Sequence, residues 1–240
     1  MLEVTDLHVN YGAVQAVQGM RMTASKGRIT LVLGANGAGK TTTLRAICGL
    51  QPAVSGSVTL DGKEILGLST SEIVRRGLVM VPEGRKVFAP MTIRENLILG
   101  AYTAPKSTIA PTMEEIYTLF PILKERENGL AGLLSGGEQQ MLSFGRALMS
   151  QAEVVLMDEP SMGLAPAVVE NVLESARTIA NSGKAVLMVE QNAEAGLEVA
   201  DDVVVVARGE VVYEGSAEEA RTNPALVRAF LGDAALVDEE

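Results

Sequence analysis

The chain has no tryptophan and few aromatic residues of any kind, 3% in all. Val, Leu, Ile, Ala and Met must therefore build its core. With 47% apolar residues over 240 positions, this suits an α/β fold whose strands are buried Val/Leu runs, with room for one large domain or a core carrying a subdomain. Cys48 is the only cysteine, which excludes an intrachain disulfide. On the apolar face of a helix-like run, it reads as a buried structural thiol rather than a reactive one, in keeping with a reducing compartment. There is no uninterrupted apolar run long enough to span a bilayer, and Met1 to Asp6 lacks the basic-then-apolar pattern of a signal peptide. Membrane association is expected only through a partner. Basic residues are in deficit, with a net charge of −10, so no nucleic-acid partner is expected. Asp238-Glu239-Glu240 reads as a solvated acidic end.

Against these absences stands Gly34-Ala35-Asn36-Gly37-Ala38-Gly39-Lys40-Thr41-Thr42. It fits G-x-x-x-x-G-K-[ST], the phosphate-binding P-loop, and lies between an apolar run (Ile29 to Leu33) and a helix-like run (Thr42 to Leu50). Glycines let backbone N–H groups turn inward onto phosphate oxygens, and the helix start adds partial positive charge. Lys40 is placed to reach the β- and γ-phosphates, and Thr41 to set its hydroxyl on Mg²⁺. The plain alternative is a glycine-rich βα turn without ligand.

Short strands with turns open the chain, at Leu2–Val4, Leu7–Val9 and Val14–Val17, and Ser57 to Leu60 followed by Asp61-Gly62 signals a hairpin. Residues 1–30 and 56–66 are expected to form an antiparallel sheet. Leu78 to Val81 reads as a short buried strand ending at Pro82. Thr92 to Tyr102, Thr112 to Leu123 and Gly137 to Ser150 have helical spacing, with a Pro/Ser/Thr loop at Thr103 to Pro111. Residues 88–150 thus interrupt an α/β domain with a mostly helical segment. Beyond it, strands at Val154–Met157, Ala185–Val189 and Asp202–Ala207 alternate with helices at Ala167–Ala180 and Asn192–Val199, which predicts a parallel sheet with crossover helices. Pro224 to Leu231 has the spacing of a short terminal helix.

The apolar strand Val154 to Met157 ends in two carboxylates, Asp158 and Glu159. At the carboxyl end of a sheet strand, Asp158 can hold Mg²⁺ beside the phosphates and Glu159 can polarise a water aimed at the γ-phosphate. Leu134-Ser135-Gly136-Gly137-Glu138-Gln139-Gln140 reads as a further helix start with anion-binding character. The plain alternative is an N-cap, Ser135 capping the helix through Gly137 and Glu138. One chain already holds one phosphate site, so a second suggests a nucleotide shared between two copies.

The P-loop, the Leu-Ser-Gly-Gly-Glu-Gln run and the Asp158-Glu159-Pro160 strand end, in this order, resemble an ABC-transporter ATP-binding subunit over essentially the whole chain. The resemblance implies an α/β P-loop NTPase: a RecA-like parallel-sheet core with an antiparallel β-subdomain and an inserted α-helical subdomain, residues 1–240 forming one ATPase domain and 88–150 the insert. It implies ATP and Mg²⁺ as ligands and hydrolysis of ATP to ADP and phosphate. It places Tyr11 on the adenine ring, Gly34 to Thr42 on the phosphates, and Ser135, Gly137 and Glu138 on the γ-phosphate held by the opposing subunit of a head-to-tail dimer. Thr41, Glu83 and Asp158 would hold the metal, and Glu159 and Gln191 would serve catalysis.

Three positions depart from the general ABC pattern: Glu83 stands where glutamine is usual, Gln191 where the switch histidine is usual, and Ala165 where an aspartate is usual. The only histidine, His8, lies in the first strand and reads as structural. Gln191 can hydrogen-bond a phosphate oxygen but cannot act as a cation or general acid–base, which leaves the base role to Glu159. Pro-Glu-Gly-Arg, Asp-Glu-Pro-Ser-x-Gly-Leu-Ala-Pro and Val-Glu-Gln-Asn resemble LivF-type subunits of branched-chain amino acid importers, and related urea and amide importers share parts of this set. Such a subunit works on the cytoplasmic face of the membrane with a second ATPase subunit, the same chain or one of LivG type, with permease subunits and, indirectly, an extracytoplasmic solute-binding protein. The loop Glu83 to Met91 would border the permease contact, with Arg85, Lys86, Val87 and Phe88 receiving it. A soluble ABC ATPase of DNA repair or ribosomes usually carries a long coiled-coil insertion or two ATPase halves, and this chain has neither. A module holding ATP only as a regulatory ligand would not need Glu159.

Overall fold

Residues 1–223 and residue 226 are described by a computed structural model. The expected terminal helix at Pro224 to Leu231 falls, but for Leu226, outside them. Two sheets organise the described residues. The larger is six-stranded, in the order β10(Glu210–Ser216), β9(Asp202–Ala207), β3(Ile29–Leu33), β8(Ala185–Val189), β7(Val154–Asp158), β6(Leu78–Val81). All its pairings are parallel except the edge pair β10–β9. β3, β7 and β8 are buried at every residue, which is why they read as unbroken apolar runs rather than alternation. Their period of two is nonetheless used. Leu31, Val155, Met157, Val186 and Met188 face one core, while Val32, Val154, Leu156, Leu187 and Val189 face the other.

The second core lies under the smaller antiparallel sheet, ordered β2(Val14–Ala24), β1(Leu2–Tyr11), β4(Ser55–Leu60), β5(Lys63–Glu64), together with α1(Lys40–Ile47). The two short strands expected before residue 10 are one strand with register shifts, and the third runs on to Ala24. Asp6 and Gly19 take positive φ (50° and 69°), which breaks the alternation that sequence periodicity depends on. Ile29 and Thr30 belong to the parallel sheet instead. Cys48 is buried at the end of α1, and burial pushes its thiol up to about 12, as expected of an inert structural cysteine.

Between β6 and β7 lie α3(Ile93–Gly100), α4(Lys106–Leu119), α5(Pro121–Glu125) and α6(Gly136–Leu148). The expected loop at Thr103 to Pro111 is corrected: α4 begins at Lys106 and carries Pro111 inside it. Proline in a helix costs about 3 kcal/mol relative to alanine. Here Thr112, Met113, Ile116 and Tyr117 bury one face of the same helix, and tertiary packing outweighs propensity. α2(Thr70–Arg75), β10 and α9(Ala217–Thr222) were not read from the sequence. α7(Pro166–Asn181) and α8(Ala193–Val199) match the two expected crossover helices. Among the described residues no helix is long and apolar enough to cross a membrane.

α3 and α6 meet at Gly100, where an added Cβ would lie 2.0 Å from the backbone oxygen of Arg146. Alanine normally favours a helix by about 1 kcal/mol over glycine, so Gly100→Ala sets propensity against a clash with rigid backbone. Overpacking is expected to win, lowering stability by about 1–3 kcal/mol. In urea unfolding the midpoint should fall with the slope unchanged; an unchanged midpoint would mean that the helices part freely here.

Candidate active site

Four strands that lie side by side in the sheet, β3, β8, β7 and β6, send their carboxyl ends to one edge. After β3 comes the glycine-rich loop; after β8, Glu190 and Gln191; β7 ends on Asp158 with Glu159 next; after β6 come Pro82 and Glu83. This is where open α/β sheets bind ligands. Topology thus gathers residues that the sequence spreads from position 34 to position 191.

The loop Gly34 to Thr42 closes tightly on its neighbours. Gly39, the N-cap of α1, has φ 102°, and a Cβ there would lie 2.5 Å from the backbone oxygen of Ala16 in β2. Gly209 N donates to Ala38 O at 3.0 Å, so the turn between β9 and β10 backs the loop. Lys40 is 5% exposed. Its Nζ donates to the carbonyls of Gly34 (2.7 Å) and Ala35 (3.3 Å) and stands 3.9 Å from Glu159 Oε1. A buried ammonium, the loop N–H groups and the start of α1 together make a seat for an anion.

Thr41 Oγ1 donates to Asp158 Oδ1 at 2.9 Å. Burial pushes the Asp158 carboxyl above the usual range, the Thr41 hydrogen bond works against this, and the nearby charge of Glu83 adds to it. Glu159 is likewise pushed up by burial, then held down by Lys40 and raised by Asp158 and Glu83. Both shifts have the same sign for stability. The groups bind protons more tightly folded than unfolded, so the stability they contribute is present at low pH and is lost as pH rises through the raised values. At neutral pH the buried carboxylates are a cost to the fold, as is common at functional sites.

The donor set fits a magnesium ion. The Thr41 hydroxyl and the Asp158 carboxylate are hard oxygens meeting at one point beside the loop. Among the described residues no group of three His, Cys, Asp or Glu side chains could hold a metal. Mg²⁺ typically takes only one or two protein carboxylates and completes its shell with phosphate oxygens and water.

Other expected site residues lie apart. Ser135, Gly137 and Glu138 form the start of α6, where the alternative reading as a cap is realised: Ser135 Oγ accepts from Glu138 N (3.4 Å) and Glu138 Oε2 from Ser135 N (2.6 Å). Arg126 pairs with Glu138 at 3.3 Å. Gly137 packs on Val168 of α7. Tyr11 is exposed at the β1–β2 turn, and Gln191 is exposed at the rim of a cleft of about 820 Å³ that Glu159, Ser161 and Glu190 also line.

Of the loop Glu83 to Met91, only Phe88 offers its side chain to an apolar groove of about 680 Å³ between the parallel sheet and the helical segment, with Val79, Met80, Leu99 and Tyr102. Phe88 is 50% exposed, with the Arg146 guanidinium 5.4 Å from its ring. The Arg85 side chain turns instead to Gly163 O, and Val87 packs on the core. Sequence reading passed over Glu190 and Ser161, whose signal was a carboxylate directly after a wholly apolar strand.

The profile of the family described as ABC transporter matches residues 17–162. The high-affinity branched-chain amino acid transport ATP-binding protein BraG of Pseudomonas aeruginosa is 42% identical, covering 97% of this chain and all of that protein (100%). The same organism's high-affinity branched-chain amino acid transport ATP-binding protein BraF is 29% identical, covering 98% of both. The crystal structure of an ATP-binding cassette of an ABC transporter in its ADP conformation superposes with a TM-score of 0.84 at 25% identity, covering 97% of this chain and 99% of that one.

Proposed function

Because this chain belongs to the ABC transporter family, we propose that it is the ATP-hydrolysing subunit of an importer of branched-chain amino acids. The observation that carries this is the meeting of Lys40, Thr41, Asp158 and Glu159 at one sheet edge in a chain alike end to end to BraG. Lys40 and the N–H groups of Gly34 to Thr42 bind the β- and γ-phosphates, and Tyr11 stacks on the adenine. Thr41 and Asp158, with Glu83 beside them, hold Mg²⁺, which when bound offsets the phosphate charge. Glu159, raised by burial toward working pH, takes a proton from water as the water oxygen bonds to the γ-phosphorus and the bond to the ADP oxygen breaks. Gln191 donates its amide to a γ-phosphate oxygen.

Ser135, Gly137 and Glu138 complete the site of a second ATPase subunit in a head-to-tail dimer. That Pseudomonas aeruginosa has two distinct relatives of this chain with the same stated transport role supports a LivG-type heterodimer over two copies of this chain. The groove at Phe88 receives a permease segment and so holds the subunit on the cytoplasmic face of the membrane; the extracytoplasmic solute-binding protein acts through that permease. ATP drives transport by binding the closed dimer better than the open one.

The test is recovery from membranes in mild detergent. The tagged chain should bring down a hydrophobic permease and a second ATP-binding chain, and its deletion should abolish high-affinity leucine uptake. Phe88→Ala should reduce the recovered permease several-fold without changing ATP affinity. Urea or amide uptake lost in place of leucine uptake would reassign the solute, and recovery of ribosomes or DNA-bound proteins alone would overturn the transport reading.

A further inference from the structure

Glu190 is 1% exposed, and among the described residues no cation pairs with it. A buried carboxylate needs strong donors, and here they come from two residues. Ser161 gives its backbone N–H to Oε1 (2.9 Å) and its hydroxyl to Oε2 (2.8 Å), and Gln191 N donates to Oε2 at 3.3 Å. Burial pushes this carboxyl above the usual range, against those hydrogen bonds, so its ionisation is a cost to the fold at neutral pH.

What it touches suggests its use. Glu159 has φ 47°, a left-handed conformation that is strained for a non-glycine residue. Such a bend persists only where its surroundings over-determine it. Glu159 N donates to Val189 O at 2.9 Å on one side of Pro160, and Ser161 N donates to Glu190 on the other. Consecutive residues of the neighbouring strand end thus hold both flanks of the bend that aims Glu159, and Glu190 also holds the first N–H of the loop carrying Gln191.

We propose that Glu190 is a positioning residue for ATP hydrolysis, clamping the Glu159–Ser161 bend to the start of the Gln191 loop so that both side chains keep one relative placement. The proposal rests on the reading of Glu159 as the base. A misplacement of about 1 Å at a reacting group can cost about 100-fold in rate, without loss of ground-state binding if the phosphate loop is untouched.

The experiment compares Glu190→Ala, Glu190→Gln, Ser161→Ala and the Glu190→Ala/Ser161→Ala pair in the full chain. Steady-state ATP turnover is measured beside the affinity for a non-hydrolysable ATP analogue. Glu190→Ala should lower kcat by about 10- to 100-fold with KM and analogue affinity nearly unchanged. Glu190→Gln, which can still accept from the Ser161 N–H, should restore most of the rate. Ser161→Ala should lower kcat less, and the double variant should be no slower than Glu190→Ala, as expected of partners in one contact. Wild-type kcat in Glu190→Ala, additive losses, or a parallel fall of kcat and affinity that glutamine fails to rescue would overturn the proposal. If Glu190→Ala does not fold, Ser161→Ala decides, with an undiminished kcat counting against the clamp. Glu159→Gln in the same assay separates the two ideas. Turnover surviving there removes the base itself, whereas an inactive Glu159→Gln beside a fully active Glu190→Ala removes only the clamp.

Discussion

Glu159→Gln is expected to lower ATP turnover by about 10²- to 10⁴-fold, the range a positioned general base supplies, while ATP binding survives. The amide has the shape of the carboxylate, so the bend at φ 47° and the hydrogen bond from Glu159 N to Val189 O stay as they are. What is lost is a group able to take the proton of the attacking water. With hydrolysis blocked, ATP should stay between the two ATPase subunits of the proposed dimer, which should accumulate in size-exclusion chromatography with Mg²⁺ and ATP. Stability should move the other way from activity. Burial is the largest influence on the Glu159 carboxyl and raises it, so at neutral pH its ionisation is a cost that glutamine removes. The variant should melt no lower than the parent at neutral pH, and the gap should close as pH falls through the raised value, where the parent carboxyl is protonated as well. Phosphate release at the parent rate would take Glu159 out of the mechanism. A lower melting point with that rate intact would make it a structural residue.

The parts of this fold legible in the sequence are those in which one residue type performs one physical task. Val154 to Met157 and Ala185 to Val189 read as strands because both faces of the sheet are covered and every residue must be apolar. The loop Gly34 to Thr42 reads as a phosphate seat because its backbone needs glycine, as φ 102° at Gly39 bears out. β10 escaped notice because an edge strand alternates exposed with half-buried residues, and Glu210 to Ser216 resembles a loop to any scale that seeks apolar runs. α4 was cut short at Pro111 because local propensity is blind to the packing of Met113 and Ile116. At the site, the identities of Lys40, Asp158 and Glu159 were legible, but their mutual placement was not. The order β3-β8-β7-β6 puts Glu190 between the glycine-rich loop and the strand that ends on Asp158, and no spacing along the chain encodes that neighbour relation. The same limit holds at Ser135, whose hydroxyl serves its own helix in one chain and whose proposed second role depends on a partner surface.

Lys40→Ala carries the largest expected effect on binding. Lys40 is 5% exposed and its ammonium is held by the carbonyls of Gly34 and Ala35, so it is already desolvated and pre-placed in the loop proposed to close on the phosphates. Hydrogen bonds to charged groups contribute about 1.5–3 kcal/mol each, and every 1.4 kcal/mol is about tenfold in affinity. Losing one or two of them to a triphosphate should weaken ATP binding by about 10- to 10³-fold, as titration with a fluorescent ATP analogue would measure. Arginine should not rescue the variant, because its planar, larger head does not fit a seat built for a compact ammonium between two carbonyls. A second readout tests the geometry without nucleotide. Lys40 is the cation that holds Glu159 down; with it gone, the Glu159 carboxyl should rise further above its unfolded value. More stability is then lost as pH rises through that higher value, so the melting point of Lys40→Ala should fall more steeply than that of the parent between mildly acidic and neutral pH. Replacing Glu159 by glutamine in the Lys40→Ala background should remove the part of that added slope that Glu159 supplies, Lys40 holding Asp158 down as well, and leave the loss of ATP affinity in place. Affinity equal to that of the parent would move the phosphate site away from this loop. An unchanged pH slope would mean that the 3.9 Å approach of Lys40 Nζ to Glu159 Oε1 is not maintained in solution.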